Sequence, residues 1–126
     1  MADTVSYARL SHQGALKALN AAVRRAGEDA AVGSLAVTDD SGRLIAFVRL
    51  DGAASMSADA AVDRAARAAT LGQSTGLDGD PLGAGGVPIF VDGALVGAIG
   101  VDTGDPARDQ DIARTALAAL PGAAEA

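Results

Sequence analysis

The sequence has no cysteine, no tryptophan and only one histidine. Without cysteine the chain cannot form a disulfide, supply a thiolate nucleophile or bind a metal through sulfur. Two phenylalanines and one tyrosine are its only aromatic residues, against 31 alanines. The core must therefore be built from alanine, valine, leucine and isoleucine. Small side chains of this kind allow helices to pack very close to a sheet.

Positive charge is also scarce, because 10 lysines and arginines face 16 acidic residues, for a formal net charge of −6. Nucleic acids and anionic membranes attract basic surfaces, so we expect neither as a partner. The sequence has no apolar run that would span a bilayer and no signal-peptide pattern, and we expect a cytoplasmic protein. At 126 residues, we expect a single domain over 1–126 with its core at about 10–120.

The clearest local pattern is a hairpin between residues 85 and 101. Two apolar runs, 87–91 and 94–101, flank the dipeptide Asp92-Gly93, which is a strong signal for a two-residue turn. Almost every residue here is apolar or glycine, so we expect both strands to be buried on both faces. The glycines predict close approach of another backbone or of a ligand.

The remaining elements follow from helix caps and from alternating patterns. A first helix begins after Ser11 and ends near Gly27, and a second begins after Ser57 and ends at Gly72. Between them, 32–38 and 43–50 predict a hairpin around a turn rich in aspartate. The apolar face of the first helix is predicted to contain Leu16, Leu19, Val23 and Ala26.

Residues 73–86 form an irregular loop rich in glycine, aspartate and proline. A last helix begins after Asp105 with Pro106 in its first position, and Pro121 ends it. The predicted order is therefore α-β-β-α-β-β-α, an α/β (α+β) fold.

Several short motifs together resemble the GlcG/HbpS-like family, which includes heme-binding and heme-degradation-associated proteins and the C-terminal domain of PduO-type proteins. The residues that carry the resemblance are Arg49-Leu50-Asp51-Gly52, Arg64-Ala65, Gly85-Gly86-Val87-Pro88, Asp92-Gly93, Val96-Gly97-Ala98-Ile99-Gly100-Val101 and Asp109. The resemblance implies a profilin-like sandwich, with helices packed on an antiparallel sheet, that forms a homo-oligomer. It also implies heme as a possible cofactor, with no other cofactor expected.

The chain departs from the family pattern at four places. Arg64-Ala65 stands where the family has a Lys-Ala pair on the middle helix, and Arg67 replaces a threonine of the same helix. Asp102-Thr103 replaces a Ser-Gly pair after the last strand. The segment before Gly85 is shorter than is usual in the family. If that segment forms part of a ligand wall, the pocket is remodelled here.

His12 is the only candidate imidazole ligand for iron. At the start of a helix the dipole favours a neutral ring, which is the form that binds iron. A solvent-facing histidine without a function is the alternative. Tyr7 and Met56 are the other conceivable iron ligands. No spacing typical of a metal site is present.

Four charged residues are candidates for ligand binding: Arg49, Asp51, Arg64 and Arg67. Guanidinium groups bind carboxylates and phosphates in a bidentate manner, as heme propionates would require. Ion pairs within the protein are an equally good explanation of the same residues. Asp102, at the end of a buried strand, is a candidate catalytic acid or base.

These observations favour a small oligomeric ligand-binding protein. Its pocket would lie at the strand ends near the 73–86 loop, or between subunits, and would hold heme or another planar molecule. The alternative is a cofactor-independent enzyme acting on a small organic substrate, with Asp102 for acid–base chemistry and Arg49 or Arg64 for anion stabilisation. A structural or regulatory subunit without a pocket is the third possibility.

Overall fold

The structure is a computed structural model that describes residues 2–77 and 79–126. In these residues the elements are α1 (His12–Glu28), β1 (Ser34–Asp39), β2 (Leu44–Arg49), α2 (Met56–Leu71), β3 (Gly86–Val91), β4 (Ala94–Asp102), α3 (Pro106–Ala118) and β5 (Ala123–Ala124). The order confirms the predicted α+β fold. The two-residue strand β5 was not predicted, because a run of two alanines carries no strand pattern of its own.

The strands form one antiparallel sheet in the order β2-β1-β4-β3-β5. The predicted hairpin is therefore at the centre of the sheet, with β4 paired on both sides. Its turn is formed by Asp92 and Gly93, which have φ angles of 51° and 78°. Positive φ at both positions is the geometry that the Asp-Gly pair predicts for a two-residue hairpin.

Helices cover both faces of this sheet. On one face α1 and α3 pack over large aliphatic side chains, among them Leu35, Val37, Ile99 and Val101. On the other face α2 packs alone, through alanines that include Ala61 and Ala65. The alternation of side chains along each strand separates the two sets, so β1 supplies Leu35 to one face and Ala36 to the other.

At two glycines of the sheet, the close contact with α2 leaves no room for a side chain. A Cβ atom at Gly100 would collide with the backbone oxygen of Ala61, and one at Gly86 would crowd Thr75. These glycines were predicted to mark a close approach of a backbone or a ligand. At Gly100 the neighbour is the backbone of α2.

Most of the predicted helix ends are confirmed, and two details are wrong. Ser11 caps α1 by accepting from the Gly14 N–H at 3.0 Å. α2, however, begins at Met56 after Ser55, so Ser57 lies in its first turn and is not the N-cap. Leu16 is not on the buried face of α1, since 48% of it is exposed. Smaller residues form the buried stripe instead: Ala15, Ala18, Leu19, Ala22 and Ala26.

Candidate functional site

Among the described residues, Arg64 has an extensive set of polar contacts. Its side chain points from α2 toward the start of β3 and the end of β4. Its Nε donates to the Leu82 carbonyl at 2.7 Å, and its Nη1 donates to the Val101 carbonyl at 2.6 Å. The same Nη1 lies 3.2 Å from Asp109 Oδ2 and 3.4 Å from Asp102 Oδ1. Arg64 was predicted to bind a ligand anion. Its guanidinium is instead engaged inside the protein, joining α2 to the loop, to β4 and to α3.

Asp109 is the buried partner of Arg64. It lies in the first turn of α3 and is 1% exposed. Its Oδ1 accepts from the Thr103 N–H at 2.8 Å and also from the Thr103 hydroxyl. Burial raises the pKa of this carboxyl, while the Thr103 hydrogen bonds and Arg64 act in the opposite direction. Burying the Asp109 carboxylate therefore costs free energy, and Arg64 offsets part of that cost.

The backbone beside Arg64 and Asp109 leaves space for both side chains because residue 85 is a glycine. Gly85 has φ +121°, and a Cβ atom there would collide with the Val101 carbonyl and crowd both Asp109 and Arg64. Its N–H donates to the Gln110 side chain at 2.9 Å. The family-like positions Arg64, Gly85 and Asp109 are thus one structural unit, which the sequence separates by 45 residues.

Next to this unit lies a groove of about 330 Å³, here called the strand-end groove. It lies where β1 begins, β4 ends and α2 begins. The residues that line it are Val32, Gly33, Ala54, Met56, Ser57, Asp102, Thr103 and Gly104. Its walls are mostly apolar, and its volume is at the lower end of the range for small-molecule sites. The predicted pocket at the strand ends near the 73–86 loop stays a prediction, because the lining residues named above lie outside that loop.

Asp102 is the charged group of the strand-end groove. Its side chain is 21% exposed, and its Oδ1 accepts from the Gly104 N–H at 3.1 Å as well as facing Arg64. Ser57, which the sequence reasoning took for a cap, lies in the same groove and bonds Ser34 at 2.8 Å. A carboxylate beside hydroxyl groups and apolar walls is able to bind a small polar molecule or to exchange a proton with it.

His12 lies at the other end of the sheet. The Leu10 N–H donates to the Val96 carbonyl at 3.0 Å, which places the start of α1 beside the beginning of β4. Six residues of strand, or about 20 Å, separate Val96 from Asp102. The imidazole of His12 is exposed and makes no hydrogen bond within the described part of the chain. The structure therefore does not bring His12 together with Arg64 or Asp102.

The other predicted ligand-binding residues are also dispersed. Arg49 and Asp51 are exposed at the end of the edge strand β2, and neither lines the strand-end groove. Arg67 points away from the sheet, with 44% of its side chain exposed, and lies 3.8 Å from Asp80. One tight pocket made of Arg49, Asp51, Arg64 and Arg67 is therefore absent.

Arg67 does line two shallow grooves of about 270 and 410 Å³ between α2 and the loop. Asp80 orders this loop by accepting from the backbone N–H groups of Leu82 at 3.0 Å and Gly76 at 3.2 Å. These hydrogen bonds lower the pKa of Asp80. Met56 and Tyr7, the remaining candidate iron ligands, are 77% and 67% exposed.

Within residues 2–77 and 79–126, no three histidine or acidic side chains come together as a potential metal site. In the same part of the chain, no helix has the length and hydropathy needed to cross a membrane. Asp109 was among the family-like motifs and Thr103 among the departures from the family pattern, but neither was predicted as a ligand-binding or catalytic residue.

The sheet, its helices and the open grooves define a class of small α+β proteins with an antiparallel sheet between helical layers. The chain belongs to the HbpS-like family, described as haem degrading protein HbpS-like, whose model matches residues 10–118. No curated protein matches the sequence significantly.

Solved structures resemble the chain over nearly its whole length. The double mutant of Streptomyces reticuli HbpS is 30% identical, with a TM-score of 0.86 over 94% of this chain and 91% of that one. The PduOC:heme complex is 25% identical, with a TM-score of 0.85 over 93% and 98%. Klebsiella pneumoniae protein ORFY is 23% identical, with a TM-score of 0.85 over 94% and 95%, and shows the shared fold.

Proposed function

We propose that this chain is a small heme-associated binding protein that acts as one domain and self-associates. The observation that carries the proposal is the similarity to a protein whose structure is a complex with heme, at 25% identity over 93% of this chain. Membership of the HbpS-like family over residues 10–118 supports it.

The residues of this chain fit a heme site on the protein surface better than one enclosed inside the protein. A heme protein supplies an axial ligand, apolar surface against the ring and donors for the propionates. His12 offers an exposed imidazole, and Leu16, one helical turn further along, is 48% exposed beside the same surface. When heme is bound it would bring iron and redox chemistry; the chain's part is to supply the ligand and the apolar contact.

The grooves described above are open and measure about 270 to 410 Å³. A large planar ring on the surface around His12 would leave one side uncovered by this chain. We therefore propose that a second copy covers it, which agrees with the expectation of a homo-oligomer. The strand-end groove, with Met56 at its edge, is the competing location.

Titration of the purified protein with hemin tests the proposal. We expect a Soret shift that saturates, and we expect His12→Ala to weaken binding by at least tenfold because the axial ligand is lost. Gln13→Ala is the matched control, since Gln13 is exposed in the same helical turn. Met56→Leu should bind like the natural protein.

Two results would contradict parts of this proposal in different ways. Absence of any Soret shift would exclude heme binding. A shift that His12→Ala leaves unchanged and Met56→Leu abolishes would keep heme binding but move the site to the strand-end groove.

A second candidate function rests on Asp102. Because its carboxylate lines the strand-end groove with Ser57 and Thr103, the groove has the groups needed for acid–base chemistry on a small organic substrate. Arg49 and Arg64 are not available there as anion stabilisers. Turnover of a candidate substrate that is lost in Asp102→Asn, with thermal stability unchanged, would favour this function over heme binding.

A further inference from the structure

The strand-end groove is lined by one charged side chain, and that side chain keeps one oxygen free. Asp102 has 21% of its side chain exposed, and its Oδ1 accepts from the Gly104 N–H and faces Arg64. Its Oδ2 accepts no hydrogen bond from any residue that the structure describes, and this atom is not buried. Oδ2 is therefore an acceptor that a bound molecule can use.

The two hydroxyl groups of the groove have no proton left to donate to a ligand. The Ser57 hydroxyl donates to the Ala54 carbonyl at 2.7 Å, so the buried Ser34 hydroxyl, 2.8 Å away, must donate to Ser57. The Thr103 hydroxyl donates to Asp109. Because a hydroxyl has one proton and two acceptor lone pairs, Ser57 keeps one lone pair. The side chains that line the groove thus offer acceptors and no donor.

The start of α2 does not turn the groove into an anion site. A helix N-terminus attracts anions through its free amide groups. Here the Ser57 and Ala58 amides donate to carbonyls of the preceding turn, at 3.0 and 3.2 Å. The amides of Thr103 and Gly104 already donate to carboxylates. An anion would therefore find few donors in the groove, whereas a group that carries several N–H donors would find free acceptors.

The charges around the groove also favour a cation. A single guanidinium, that of Arg64, serves two carboxylates, since it lies 3.4 Å from Asp102 and 3.2 Å from Asp109. The other nearby cation is Arg108, which donates to the hydroxyl and the carbonyl of Thr103 at 3.0 Å. Arg108 makes no ion pair with the described acidic residues. Asp102 therefore shares its cation, and an ammonium group would complete its charge balance.

We propose that the strand-end groove binds a small primary amine in its ammonium form. The nitrogen donates to Asp102 Oδ2, and the apolar part of the amine lies against Val32 and Met56, which are 48% and 77% exposed. At about 30 Å³ for each water-sized group, a groove of about 330 Å³ admits at most about eleven non-hydrogen atoms. Phenethylamine is a probe within this limit, and its ring suits a methionine wall because thioethers contact aromatic rings favourably.

This inference goes beyond heme association and names the ligand class of the groove on which the second candidate function rests. It requires no turnover and is tested without heme. A failed hemin titration would leave amine binding untouched, and a groove that binds no amine would leave the heme proposal untouched. The acid–base function is decided separately, by turnover.

A titration followed by the amide chemical shifts of the full-length protein tests the proposal. Phenethylamine, phenethyl alcohol and phenylacetate differ in charge but share one ring, and at about pH 7 the amine is protonated because aliphatic amines have pKa values of about 10. We expect the amine to shift the Thr103 and Gly104 amides. It should bind at least about tenfold more tightly than the alcohol, because its hydrogen bond to Asp102 is charge-assisted. Phenylacetate should bind most weakly.

Three variants locate the interaction. Asp102→Asn removes the charge and should weaken phenethylamine about tenfold while leaving phenethyl alcohol unchanged. Asp92→Asn is the matched control, because it makes the same change at an exposed turn before the other end of β4, and it should have no effect. Val32→Trp narrows the groove without touching the ion pairs and should weaken the amine and the alcohol alike. This third variant also keeps the test decisive if Asp102→Asn does not fold.

Several results would overturn the proposal. One is phenylacetate binding as tightly as phenethylamine, and another is an amine affinity that neither Asp102→Asn nor Val32→Trp reduces. Shifts confined to the grooves beside Arg67, or no saturable shift with any probe, would also overturn it.

Discussion

Replacement of Arg64 by methionine should destabilise the protein strongly. Methionine keeps much of the length and apolar contact of the arginine stem, but it removes the guanidinium that lies 3.2 Å from Asp109 Oδ2. The carboxylate would then remain buried without its cation. Removing one partner of a buried pair typically costs about 3 to 5 kcal/mol, because the remaining charge is uncompensated.

The hydrogen bonds that remain to Asp109 indicate a free-energy cost at the lower end of that range. Asp109 keeps two hydrogen bonds from Thr103, while the Leu82 and Val101 carbonyls lose their donor. We expect a loss of about 3 kcal/mol in the free energy of unfolding. At about 4 °C per kcal/mol for a chain of this size, the melting temperature should fall by about 12 °C.

The loss should also depend on pH. Burial raises the pKa of Asp109 in the folded state, so folding favours its protonated form and this contribution is lost as the pH rises through that pKa. Without Arg64 the pKa should rise further. The destabilisation by Arg64→Met should therefore be larger at about pH 7.5 than at about pH 5.

Urea unfolding at both pH values measures these effects. Arg67→Met is the control, because Arg67 lies one turn away on the same helix with an exposed side chain 3.8 Å from Asp80, and it should cost less than about 0.5 kcal/mol. The double variant Arg64→Met/Asp109→Asn should recover part of the loss. If Arg64→Met were no more costly than Arg67→Met, or equally costly at both pH values, the assigned role of the buried pair would be wrong.

Two further predictions concern the sheet and the loop. Gly100→Ala should destabilise the fold by about 3 kcal/mol or more in thermal unfolding, because the new Cβ collides with the Ala61 carbonyl. Gly93→Ala is the comparison: this residue has φ +78° but faces open space, so the variant should cost only about 1 kcal/mol. The backbone hydrogen bond from Leu82 lowers the pKa of Asp80 in the folded state, so the ionised carboxylate stabilises the fold and this stabilisation is lost as the pH falls through that pKa. Asp80→Asn should therefore make the free energy of unfolding depend less on pH in the acid range. An unchanged dependence, measured by urea unfolding across that range, would refute this role of Asp80.

Much of the fold was predictable because its signals are local. The Asp92-Gly93 turn, the Ser11 and Asp105 caps and the apolar runs each act within a few residues, and all of them are confirmed. Ser57 was misassigned because serines stand at both 55 and 57 near the start of the helix, and a serine hydroxyl can cap a helix or, as that of Ser57 does, bond a residue of a neighbouring strand. The two-residue strand β5 depends on the free edge of β3, which only the assembled sheet provides.

The candidate site was less predictable because it depends on contacts between distant elements. Family-like motifs pointed to Arg64 and Asp109 separately, but nothing in their spacing showed that they meet. Their meeting depends on how closely α2 lies on the sheet, and therefore on Gly100. The same packing directs Arg64 inward, while Arg67, three residues later, faces the solvent.

The sequence alone therefore determined the family, the order of most elements and the absence of a thiolate site, since composition and short-range patterns are sufficient for these. The tertiary structure decided which charged residues act together. It separated His12 from the strand-end groove by the length of β4, buried Asp109 against Arg64, and placed β2 at the edge of the sheet. Each of these depends on the sheet order and on which face a helix covers, and neither is encoded in the local pattern of residues.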